Sequence, residues 1–155
     1  MADDAIVVAL ASDHRGVKTR KRLAKVLTDA GYRIEDHGTD DDEPCDYPDF
    51  AARVSRRISD GTVQRGVLIC GTGIGMAMVA NKFPGVRAAA CYDEVIVEIS
   101  RRHNDVNVLC LPGDLIGGRP IGDVVLMWLR TAFDGGRHKV RLEKLDDVER
   151  GNGLK

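Results

Sequence analysis

The stretch VLICGTGIGMAMVANK, residues 67–82, runs from a short apolar segment to a cysteine, three glycines in five positions and then a segment of helical character. An apolar run closed by a glycine turn and followed by a helix reads as a strand–turn–helix unit. Similar runs recur along the chain: AIVVALA (5–11), YRIEDH (32–37), GVLIC (66–70), VRAAAC (86–91) and VNVLCL (106–111). Four of the five are apolar almost throughout, which suits strands covered on both faces. Between them lie segments with helical spacing, carried by Val17, Leu23, Val26, Leu27 and Ala30, by Phe50, Val54 and Ile58, and by Val95, Ile99 and His103. This alternation predicts an α/β domain built on a doubly wound parallel sheet.

At 155 residues the chain fits a single domain with one core, residues 1–155. Lys and Arg number 23 against 24 Asp and Glu, so a net charge of −1 gives no overall basic field for nucleic acid or an anionic membrane. The first residues, MADDAIVVALASDHRG, have neither the basic start of a signal peptide nor the length of a membrane span, so a cytoplasmic protein is expected. Cys45, Cys70, Cys91 and Cys110 show no C-x-x-C spacing and read as free thiols. TDDDEPCD (39–46) reads as a solvated acidic turn apart from Asp46, and the basic run KTRKR (18–22) as the exposed side of the first helix. Residues 119–133 suggest a fifth helix, broken by Asp134-Gly135-Gly136. The polar segment RHKVRLEKLDDVER (137–150) suggests a last one with Val140, Leu145 and Val148 on its apolar stripe. A polar helix ending a domain this way is expected to pack on a partner subunit.

In open parallel sheets, ligands collect beyond the carboxyl ends of the strands. Those ends carry Ser12-Asp13-His14-Arg15-Gly16, His37-Gly38, Cys70 to Gly75, Cys91-Tyr92-Asp93 and Pro112-Gly113-Asp114. A dinucleotide fingerprint would need glycine at position 76, where Met76 stands, and would follow the first strand instead of the third. The competing reading is an amide nest: Gly71, Gly73 and Gly75 let the main chain fold tightly enough for several N–H groups to face one anionic oxygen. A thiol at the edge of such a nest is favoured as thiolate, which makes Cys70 a candidate base or nucleophile. It can equally be a small hydrophobe closing a buried strand. His103, ending a helix, can be a titrating group or a dipole interaction. Arg137 and Arg141, spaced by four, can grip a phosphate or pair with Glu143, Asp146 or Asp147.

Taken together, SDHRG, DYPDF, CGTGIGMAMVANK, SRRHNDVNVL and GGRHKVRLEKL, in this order, resemble the ribose-5-phosphate isomerase B and galactose-6-phosphate isomerase family. The resemblance implies a Rossmann-like three-layer sandwich with a five-stranded parallel sheet and a C-terminal helix used in dimerisation. It implies a site without metal or cofactor, shared between the subunits of a homodimer or homotetramer, that takes a small-molecule sugar phosphate. In that reading Cys70 removes the proton next to the carbonyl, Thr72 stands beside it, and the amides of Gly71, Gly73, Ile74 and Gly75 hold the enediolate oxygen. His103 helps open the sugar ring, Asp13 contacts the ring oxygens and Asn104 the enediolate end. His14, Arg137 and Arg141 take the phosphate, while Asp46 and Tyr47 line the pocket. Some relatives carry a glutamate base where this chain has Met76, which favours Cys70 as base here.

Two departures stand out. Arg15 replaces a common alanine after the Asp-His pair, and Asp114 stands where many relatives carry a phosphate-binding arginine. Arg15 is expected to restore part of the missing positive charge. The alternatives are an isomerase for a tetrose or hexose phosphate, a non-catalytic sugar-phosphate-binding subunit, and a Cys–His thiol hydrolase, which would need a covalent acyl-enzyme.

Overall fold

The computed structural model describes residues 6–113 and 120–152. Five strands form one all-parallel sheet: β1 Val7–Ser12, β2 Arg33–Asp36, β3 Arg65–Cys70, β4 Ala88–Ala90 and β5 Val108–Pro112, in the order β2-β1-β3-β5-β4. Six helices join or follow them: α1 Val17–Asp29, α2 Tyr47–Ser59, α3 Ile74–Ala80, α4 Glu94–Asn104, α5 Ile121–Arg130 and α6 Arg137–Glu149. A short 3-10 turn, His14–Gly16, links β1 to α1. The expected doubly wound α/β architecture is therefore present.

The near-continuous apolar character of the central strands has a direct cause in their alternation. Val8, Leu10, Val67, Ile69, Leu109 and Leu111 face one core with α1, α4 and α5, around the fully buried Trp128. Their neighbours Ala9, Ala11, Leu68, Cys70, Val108 and Cys110 face the other core, with Phe50, Ala51, Val54 and Ile58 of α2 and Met76 and Ala80 of α3. Side chains of one strand alternate between faces, so a strand covered by helices on both sides cannot afford a polar position on either. The edge strand β2 is only partly covered, and its sequence RIED shows it.

Two expected helix faces need correction. On α4 the buried residues are Val97, Ser100 and Arg101, whereas Val95 is 64% exposed and Ile96 48%. The stripe of Val95, Ile99 and His103 therefore does not face the core. Arg101 is buried because its guanidinium is satisfied: it donates to the Val106 carbonyl at 2.7 Å and pairs with Asp105 at 2.7 Å. Within KTRKR, Arg20 is fully buried rather than solvated. It donates to Ser12 Oγ at 2.7 Å and to the Thr39 carbonyl, and its Nε lies 2.9 Å from Asp36 Oδ1 as an ion pair rather than an aligned hydrogen bond. These partners offset part of the desolvation cost of the buried cation and fix the loop beyond β2 against β1.

On α6 the one buried residue is His138, and Val140, Leu145 and Val148 are each about half exposed. The helix is tied at its far end by Glu149, whose carboxylate accepts the Gly85 N–H at 3.0 Å. Between α6, α4 and the edge strand β4 runs an apolar groove of about 710 Å³, lined by Ile96, Ile99, Leu142, Leu145 and Val148 among others. Among the described residues, no helix is long and apolar enough to cross a membrane.

Candidate active site

The strand order reverses between β1 and β3, which opens a crevice outside their carboxyl ends. Asp13 follows β1, is 5% exposed, and its amide donates to the Ile69 carbonyl at 3.1 Å, so the loop is pinned to β3. Its carboxylate accepts the Arg15 N–H at 2.9 Å, which fixes the exposed Arg15 backbone at the rim. His14 opens the 3-10 turn, and its Nδ1 accepts the backbone N–H of Cys45 at 3.2 Å, with the Cys45 sulfur 3.9 Å away. Asp46, in extended backbone, precedes α2, and Tyr47 is that helix's first residue; both are exposed. The Tyr47 ring lies so close to Gly75 that a Cβ there would come within 2.6 Å of it. Glycine at 75 is thus what lets α2 and α3 bring their ends together.

Cys70 ends β3 on the core face shared with α2 and α3 and is 5% exposed. It packs like a hydrophobe, and its sulfur accepts the Gly73 N–H at 3.1 Å. Gly73 adopts φ 78°, and a Cβ there would lie 3.1 Å from the Leu111 backbone, so the turn requires glycine twice over. The thiols of Cys91 and Cys110 are dominated by burial, although the Ser100 side chain hydrogen-bonds Cys91. Burial pushes Cys91 up to about 11. Burial, with the neighbouring Cys70 and Cys91 thiols, also raises Cys110 well above the ordinary thiol value. Those two are inert core residues. Thr72 is exposed beside Cys70; its Oγ1 accepts the Ile74 N–H at 3.3 Å, and its carbonyl accepts the Tyr92 hydroxyl at 2.9 Å. The amides of the turn are therefore not all aimed at one point, since Gly73 is directed at sulfur and Ile74 at a hydroxyl.

The other expected residues gather elsewhere. His103 and Asn104 end α4, while Arg137 and Arg141 stand exposed on the first turns of α6. The Asp134 amide donates to the Arg102 carbonyl at 2.9 Å, which brings α6 back against the end of α4. There the His103 and His138 rings stack, centroids 4.1 Å apart and planes within 9°. Burial lowers the His138 pKa below the ordinary histidine value, with His103, Arg137 and Arg141 adding to the effect and Asp134 opposing it. Among the described residues, neither Arg137 nor Arg141 has a carboxylate within 4.0 Å, so the surface ion pairs expected as one alternative do not form. His103, Asp134 and His138 place ligand-type atoms within 4.8 Å of one another. Asp134, however, already pairs with Arg102 at 3.2 Å, and two further arginines flank His138, so a cation would meet a largely positive surround.

The two groups lie at opposite ends of the sheet. Each helix following a parallel strand starts at the strand's carboxyl end and descends to the amino end of the next. α4 spans 11 residues, about 16 Å of descent. One chain therefore holds Asp13, His14, Asp46, Tyr47, Cys70 and Thr72 at one end, and His103, Asn104, Arg137 and Arg141 at the other. Asp114 lies outside the described residues. Three residues with contacts in these groups had no role assigned from sequence: Cys45 against His14, Tyr92 on Thr72, and His138 on His103. Tyr92 stands among the strand-end residues and His138 within GGRHK, so both signals were visible; the Cys45 contact spans 31 residues and left none.

The fold is thus an apolar parallel sheet with a thiol at its switch point and separate histidine and arginine clusters. Residues 8–145 match the family model described as Ribose/Galactose Isomerase, and the chain belongs to that family of sugar-phosphate isomerases. It is 37% identical over 142 residues to ribose-5-phosphate isomerase B of Escherichia coli, covering 92% of this chain and 95% of that protein. It is 34% identical to D-erythrulose-4-phosphate isomerase of Pectobacterium atrosepticum, covering 92% and 94%. Its structure matches that of Clostridium thermocellum ribose-5-phosphate isomerase B with a TM-score of 0.91 at 39% identity, covering 94% and 99%.

Proposed function

We propose that the chain interconverts D-ribose 5-phosphate and D-ribulose 5-phosphate through an enediolate, with Cys70 as the base. The Cys70 thiolate takes the proton from C2 of the open aldose, and the electron pair of that C–H bond forms the C1–C2 double bond. Charge moves onto O1, where the amides of Gly71 and Gly75 and the Thr72 hydroxyl are the available donors. The proton on O2 passes to O1, and as C2 becomes the ketone the same sulfur returns the carbon proton to C1, leaving a C1 hydroxyl. The observation that carries this reading is the Gly73 backbone amide aimed at the Cys70 sulfur in the switch-point crevice, whereas burial holds the Cys91 and Cys110 thiols in their protonated form. Proton abstraction from a weakly acidic carbon needs a positioned base and a cradle for the developing oxyanion, and this turn supplies both.

His103 opens the sugar ring, Asn104 steadies the enediolate, Asp13 meets the ring oxygens, and Asp46 and Tyr47 line the pocket. His14, Arg137 and Arg141 take the phosphate. Arg15, on the rim beside Asp13, adds positive charge there. Because His103 and the two α6 arginines sit at the far end of their own sheet, a second copy of the chain delivers them, and the working unit is a homodimer or a tetramer of such pairs. The half-exposed Val140, Leu145 and Val148 of α6 supply an apolar contact face for that pairing.

A tetrose phosphate is the second reading, supported by the comparable identity to the erythrulose-4-phosphate enzyme. Two measurements test the proposal. Cys70→Ala should lose exchange of the substrate's C2 proton with solvent while still binding the sugar phosphate, and retained exchange rules out this base. Relative kcat/KM for ribose, allose, galactose and erythrose phosphates should favour ribose 5-phosphate; a preference for the tetrose overturns the substrate assignment.

A further inference from the structure

We propose that His138 is a positioning residue for His103: its imidazole face fixes the plane of the His103 ring, so that the more exposed ring presents its outer nitrogen to open the sugar. This inference rests on the ring-opening role given to His103 above. His138 is 8% exposed and is the only buried side chain of α6. What it is buried against is His103, at a centroid distance of 4.1 Å and an interplanar angle of 9°. Aromatic faces held this parallel and this close leave the outer ring little freedom to tilt.

The backbone around the pair is built to hold it. Gly135 and Gly136 adopt φ 66° and 55°, turning the chain sharply enough that the Asp134 amide reaches the Arg102 carbonyl and the His138 amide reaches the Gly135 carbonyl at 3.0 Å. Arg102 closes the loop by pairing with Asp134 at 3.2 Å and with Glu98 at 3.4 Å. The charged and titratable groups facing the imidazoles are thus Arg102 from α4, Asp134 from the loop, and Arg137 and Arg141 from α6, a net cationic ring. Two stacked imidazoles inside it cannot both carry a proton without strong repulsion. Burial, His103 and the arginines disfavour charge on His138, which suits it to act as a flat neutral face behind His103.

A residue that merely anchored α6 would act through Arg137 and Arg141, and its loss would raise KM. Positioning of His103 acts on ring opening, and its loss lowers kcat. The ketose separates this step from proton abstraction: its C5 oxygen carries the phosphate, so no five-membered ring closes on C2 and it reaches the site open. The test uses the full-length chain with His138→Ala, His138→Phe and His103→Asn, measuring kcat and KM for ribose 5-phosphate and solvent exchange of the C1 protons of ribulose 5-phosphate. His138→Ala is expected to lose roughly ten- to a hundredfold in kcat with KM nearly unchanged and ketose exchange retained. His138→Phe, which keeps a flat neutral face, should recover most of kcat.

A tenfold rise in KM at unchanged kcat, or a His138→Phe variant as slow as His138→Ala, overturns the proposal. Full activity of His103→Asn sinks the ring-opening role and this inference with it. Loss in His103→Asn without loss in His138→Ala overturns only the positioning. Should His138→Ala fail to fold, the Phe variant decides alone, since retained kcat supports the stack and a large kcat loss in a folded protein contradicts it.

Discussion

The two ends of this sheet are built differently. At the carboxyl end of β1 and β3, glycines and short hydrogen bonds hold a nearly buried sulfur in a rigid turn, with Gly73 on Cys70, Tyr47 against Gly75 and Asp13 pinned to Ile69. At the amino end, by the tips of α4 and α6, charged and titratable side chains stand on a helix that touches its own chain mainly through His138 and Glu149. One end has positions that only backbone geometry can provide, and the other offers charges on helix tips beside the apolar groove between α4 and α6. Neither end gathers all the residues given roles above, and the proposed function therefore brings the end of one copy to the other end of a second.

Substitutions should separate the two ends by the parameter they change. The largest effect falls at the rigid end: Cys70→Ala should cost at least about a thousandfold in turnover, because no other base lies in the turn, and proton exchange should vanish with it. At the far end, His103→Asn should lower turnover of the aldose by roughly a hundredfold or more yet leave exchange from the open ketose intact, as read by deuterium wash-in. Arg141→Ala should raise KM about tenfold or more at little cost in kcat, since a charge-assisted phosphate contact is worth about 1.5–3 kcal/mol. An equal fall in kcat would move Arg141 into the chemical step.

Gly75→Ala sharpens the contrast in another way. The added methyl would meet the Tyr47 ring, so denaturant unfolding should show a loss of about 1–3 kcal/mol along with reduced activity. The smallest effect concerns pH. His138 has a lowered folded-state pKa, so the unfolded chain binds more protons below about pH 6.5, and stability should rise with pH from the folded value up to there. In His138→Phe this part of the melting-temperature slope should disappear. The remaining acid sensitivity, from Glu35 held low by its Arg57 hydrogen bond and Asp60 held low by Thr62, belongs to pH values below about 4.5.

Much of the fold was legible because the central strands alternate between two apolar cores. That forces near-continuous hydrophobic runs, and the glycine turn after Cys70 marks where β3 stops. The buried arginines were not legible. Arg20 reads as one more charge in KTRKR until Ser12, Thr39 and Asp36 are seen around it, contacts that reach up to 19 residues away. α4 misled for a related reason: it carries apolar residues on two sides, and the side that faces the core is completed by Ser100 and the satisfied Arg101, whereas Val95 and Ile96 face outward. For the site, motif order identified the family and the residue types. It carried no information on which residues share an end of the sheet, because that depends on the direction in which each helix runs.

The claim that two copies complete one another is tested most directly by mixing inactive variants. Cys70→Ala and His103→Asn chains, each with about 1% or less of wild-type turnover of ribose 5-phosphate alone, are unfolded together, refolded and assayed with ribose 5-phosphate. A site shared across two copies restores about a quarter of wild-type activity, since half of the randomly paired dimers are mixed and each mixed dimer holds one intact site. No recovery, with mixed dimers shown to form, would mean that Cys70 and His103 serve the same chain, and the division between the two ends would be wrong.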